Sequence, residues 1–186
     1  MALYGALMGA FGGSGQALSS AIKLPLLFLG TAAICFPTLY VLSQFAGAKV
    51  SAGQYLILVV GAIAVAGLIL VAFLPVAAFF LLTSSNYPFF KLLNVSILAF
   101  SAILGVRFLY TSALSLSSEE KSGATIRRRI LGFWVVLFAF VGSQLGWTLR
   151  PFFGSPGMPF ELVREVGGNF YSDVAKSIKE VFEVKE

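Results

Sequence analysis

Apolar and polar positions form long alternating blocks along this chain. Four stretches are almost continuously apolar, and short polar connections separate them; they cover residues 24–46, 55–82, 89–114 and 130–149. Each has at least the ~20 residues that a helix needs to cross the hydrocarbon of a bilayer. The pattern predicts an all-α polytopic membrane protein, with a transmembrane domain of four helices over residues 24–152.

Prolines refine these spans. Pro37 lies in the middle of the first span and Pro75 lies within the second, and a proline inside a helix removes a hydrogen bond and kinks the axis. The second span is longer than a bilayer requires, so we predict that it bends at Pro75. Trp147 and Arg150 sit at the expected interfacial depth, and Pro151 ends the last span.

Both ends of the chain are predicted to lie outside the spans. Five glycines interrupt residues 1–23, so we expect an interfacial segment rather than a span, with Ala17, Leu18, Ala21 and Ile22 as its apolar face. Residues 153–186 are predicted to form an extramembrane elbow and then an amphipathic helix. The apolar positions of that helix recur with helical spacing: Phe170, Val174, Ile178, Val181 and Phe182.

Composition limits the chemistry. Hydrophobic residues make up 58% of the chain and charged residues only 11%, which is typical of membrane proteins. Histidine is absent and the single cysteine, Cys35, lies in an apolar run, so the usual general base and the commonest metal ligands are missing. All eight acidic residues fall in the loop 115–129 or in the C-terminal tail. We therefore expect no enzymatic activity, no metal and no cofactor.

One charge and one pair of glycines stand out inside the spans. Arg107 is the only ionisable residue well inside a predicted span. Its side chain could extend to the nearer membrane surface. The alternative is that it lines a cavity or forms an ion pair between helices. Gly142 and Gly146 form a GxxxG pair in the last span, which allows close helix contact. Such a contact serves packing within one bundle as well as between chains.

The segment after the last span is rich in proline and aromatic residues. Pro151, Pro156 and Pro159 restrict its backbone, so little conformational entropy is lost when a partner docks. Arginine and aromatic side chains are typical of binding hot spots, although Trp147 and Arg150 are also ordinary interfacial anchors. The interaction hypothesis therefore names Trp147, Arg150, Phe152, Phe153, Gly142 and Gly146.

The motif W-x-L-R-P-F-x-G-x-P, formed by residues 147–156, resembles a segment found at the end of the last span in small, uncharacterised multi-pass bacterial membrane proteins. The resemblance covers the last span and the residues after it. It implies a bacterial inner (cytoplasmic) membrane location and carries over no catalytic residue.

Loop charges predict the orientation. Five cations flank the spans on the side of the loop 115–129 and four on the other, which places that loop in the cytoplasm and both termini on the opposite side. The first set is Lys49, Lys121, Arg127, Arg128 and Arg129; the second is Lys23, Lys91, Arg150 and Arg164. The same rule explains the net charge of +5 without a nucleic-acid partner.

These features favour a non-catalytic membrane subunit or scaffold. It would contact the lipid bilayer and assemble with itself or with other membrane proteins through its spans and the elbow. The alternative is an ion channel or a transporter subunit. A single intramembrane arginine, Arg107, would suit an anion pore.

Overall fold

The computed structural model describes residues 1–45, 47, 50–83, 86–116 and 124–153, together with 171, 172, 174, 175 and 179. Every element of regular structure in this part of the chain is a helix, and four helices are long and apolar enough to cross a membrane. The predicted fold class, an all-α integral membrane protein with four candidate spans, is confirmed.

The helices follow one another with short connections. They are α1 (Ala2–Gly9), which continues into a 3₁₀ turn (Ala10–Gly12), then α2 (Ser14–Phe45), α3 (Ala52–Ala72), α4 (Leu74–Thr83), α5 (Tyr87–Leu116) and α6 (Ala124–Thr148). Ser51 caps α3 with a capping box, in which its hydroxyl accepts from the Gln54 backbone and the Gln54 side chain accepts in return. The four spans are α2, α3, α5 and α6.

The spans pack as two close pairs. Helix α2 lies against α6, and α3 lies against α5, whereas α5 and α6 contact each other only sparsely. Trp134 of α6 joins the first pair firmly, because its indole Nε1 donates to the Cys35 carbonyl at 2.9 Å and both residues are buried. On the second pair Gly105 lies against the Ala62 carbonyl. The α5–α6 side of the bundle is left open.

The outer surface of the spans is apolar. Ile57, Leu68 and Val136 are each at least two-thirds exposed, and no span buries more than 33% of its most apolar window. Exposed apolar surface of this extent is rare on monomers in water but suits helices surrounded by lipid tails. The bundle therefore faces a bilayer with leucine, isoleucine, valine and phenylalanine.

The second apolar stretch is divided rather than merely bent. Helix α3 ends at Ala72, Phe73 forms a turn, and α4 begins at Leu74. Pro75 explains the position of the break, because its ring clashes with the carbonyl four residues earlier and it has no N–H to donate. Proline is well tolerated in the first turn of the new helix, where such a donor has no helical acceptor.

The N-terminal segment differs from the expected surface-lying stretch. Helix α2 starts at Ser14, ten residues before the expected span, and α1 folds back along its first turns. Gly5 and Gly9 permit this approach, since the carbonyls of Ser20 and Gln16 occupy the positions that a side chain would need. Gly13 makes the turn with φ of +99°, a conformation that favours glycine.

The polar side of this hairpin is buried, whereas in a segment lying on the membrane surface it would contact water. Leu18 and Ile22, of the expected apolar face, are 68% and 63% exposed, whereas Ser20 and Lys23 are only 0% and 6% exposed. A leucine side chain can contact lipid tails without loss of free energy. A polar side chain at this depth needs hydrogen-bond partners, and only the protein interior provides them. The hairpin is therefore packed into the bundle with its polar side inward.

Candidate functional site

The part of the chain that the structure describes holds no group of three potential metal ligands among His, Cys, Asp and Glu. It also contains no Asp or Glu at all. Its polar chemistry is concentrated where the N-terminal hairpin meets the elbow, and an apolar cavity lies between α5 and α6. These two features adjoin each other and together form the candidate site.

Three side chains of α2 hold the backbone of Pro151 and Phe152, which lead from α6 into the elbow and are counted with it below. The Gln16 amide Nε2 donates to the Pro151 carbonyl at 2.5 Å, the Ser20 hydroxyl donates to the Phe152 carbonyl at 2.5 Å, and Lys23 Nζ donates to the Pro151 carbonyl at 3.2 Å. Their spacing of four and three residues places them on one side of α2. The first residues of the elbow are thus hydrogen-bonded to α2 of the hairpin.

A second polar contact ties the hairpin to α5. The Tyr4 hydroxyl donates to Asn94 Oδ1 at 2.7 Å, and the Asn94 amide donates to the Phe90 carbonyl at 2.8 Å. Tyr4 and Asn94 are both fully buried. In an apolar surrounding each polar atom must find a protein partner, so this pair fixes where α1 sits.

The aromatic residues of the elbow pack inward. Phe152 and Phe153 lie against the apolar core, and the Phe153 ring meets Phe90 edge-on with centroids 6.3 Å apart. The Arg150 guanidinium carbon lies 3.7 Å from the centre of the Trp147 ring, a cation–π contact, and Trp147 is buried. The four interaction candidates therefore make two separate contacts: Arg150 packs on Trp147, whereas Phe152 and Phe153 pack against the core.

An apolar cleft of about 460 Å³ separates α5 from α6. Its floor is α2, its walls are the facing sides of α5 and α6, and the elbow closes one end. Most of its lining side chains on the two walls are small or β-branched: Val95, Ala99, Ala102, Ile103, Val106, Val135, Ala139, Gly142, Ser143 and Gly146. Four of the six predicted interaction residues, Gly142, Gly146, Phe152 and Phe153, line this one cleft.

The two glycines of the GxxxG pair face α2 of the same chain. A methyl group built on Gly142 would meet Thr31 Cγ2 at 3.5 Å, and one on Gly146 would meet Leu27 Cδ1 at 3.8 Å. Both distances are ordinary van der Waals contacts. The pair thus serves packing within the bundle and, at the same time, leaves room on the cleft side.

Arg107 is exposed and does not line the cleft. It lies one helical turn after Ile103, a lining residue that is 64% exposed at the open side. The side chain therefore lies outside the lining of the cleft. The channel hypothesis rests on this arginine, and no observation on the described residues favours a pore around it.

The contacts between the hairpin and the elbow could not be predicted from the sequence. The available signal is the helical spacing of Gln16, Ser20 and Lys23, which by itself predicts the solvent side of an interfacial helix. Within a membrane bundle the same pattern marks an inward polar side, because the outer surface contacts lipid.

The predicted C-terminal helix lies largely outside the described residues. Tyr171, Ser172, Val174, Ala175 and Lys179 are helical, and the Tyr171 hydroxyl is 3.1 Å from the Ser143 hydroxyl at the cleft. The rest of the elbow beyond Phe153 and the apolar positions Phe170, Ile178, Val181 and Phe182 also fall outside that part.

Comparison of this chain with known protein families, with curated proteins and with solved structures finds no match.

Proposed function

We propose that this protein is a non-catalytic membrane subunit that assembles with another membrane protein by accepting a transmembrane helix of that partner in the α5–α6 cleft. The observation that carries the proposal is the cleft itself: two neighbouring spans stand apart, and the space between them is lined on both walls largely by small or β-branched residues.

Small residues suit a helix as the occupant. Helices associate in membranes through close backbone approach, which alanine, glycine and serine permit, because lipid tails offer no hydrophobic driving force between them. Ala99 and Ala102 on α5 face Ala139 and Gly142 on α6, so a third helix would meet low ridges on both sides.

The elbow supports the same proposal. Phe152 and Phe153 form one end of the cleft, and α2 holds the carbonyls of Pro151 and Phe152 in place. A site that is fixed before binding loses less conformational entropy when a partner arrives. In this way the GxxxG glycines and the elbow contribute to one surface.

Filling the cleft tests the proposal. Ala139 lines the cleft and is exposed, so Ala139→Trp should fold yet block a docked helix. Ala64 is exposed on the outer side of α3, away from the cleft, and Ala64→Trp is the matched control. We expect native mass determination in mild detergent to show a larger assembly for the wild type and for Ala64→Trp, and loss of it for Ala139→Trp at equal membrane levels. A monomeric wild type, or equal assembly of both variants, would refute the proposal.

A further inference from the structure

We draw no further inference here: the strongest candidate, the hydroxyl contact between Tyr171 and Ser143 at the mouth of the α5–α6 cleft, belongs to the site already described, and most of the C-terminal segment that carries Tyr171 lies outside the described residues.

Discussion

At the scale of single residues, Gly105 shows how closely α3 and α5 approach. A Cβ at this position would lie 2.6 Å from the Ala62 carbonyl oxygen and 3.3 Å from Ala66 Cβ, so one helix would have to move. We expect Gly105→Ala to lower the free energy of unfolding by roughly 1–3 kcal/mol, the usual cost of overpacking. Gly132→Ala is the control, because no atom lies within 4 Å of its Cβ position; it should be neutral or stabilise α6 by up to ~1 kcal/mol. Equal unfolding curves in denaturing detergent would contradict this account of the contact.

At the scale of elements, the hairpin of α1 and α2 positions the elbow. Ser20→Ala removes the hydroxyl that donates to the Phe152 carbonyl and leaves that carbonyl without this partner. The expected loss of about 1 kcal/mol should open the elbow roughly fivefold more often. The measurement is the labelling rate of a cysteine placed at Phe153, in a Cys35→Ala background. Ser96→Ala is the matched control, since its exposed hydroxyl donates to the Leu92 carbonyl of its own helix. If both serine variants label at the same rate, the hydrogen bond does not hold the elbow.

At the scale of the whole molecule, the direction of the four spans fixes which connections share a side. The ends of α2 and α5 and the starts of α3 and α6 lie together, and the cation count around them predicts the cytoplasm. A single cysteine replacing Ser122 should therefore react only when the cytoplasmic side is open to the reagent. A cysteine replacing Gly13, which is exposed in the turn between α1 and α2, should react from the other side. Labelling in the opposite sense would invert the orientation.

The sequence by itself determined the class, the four candidate spans and the region of the break near Pro75. These features depend on local quantities, namely the length of an apolar run and the missing N–H of a proline, and no distant residue alters them. The sequence also indicated Gly142, Gly146 and the aromatic elbow as contact residues, because small and aromatic side chains suit contacts in any arrangement.

Only the tertiary structure decided what those residues contact. Gln16, Ser20 and Lys23 can be buried because they donate to the carbonyls of Pro151 and Phe152, which lie over 120 residues away in sequence. The cleft exists because α6 packs on α2 and α5 packs on α3, a choice among helix pairs that have similar apolar surfaces. Helices in lipid gain nothing from burying apolar area as such, so shape and a few polar bonds select their neighbours. Periodicity shows which side of a helix is polar, but the neighbours decide whether that side turns inward.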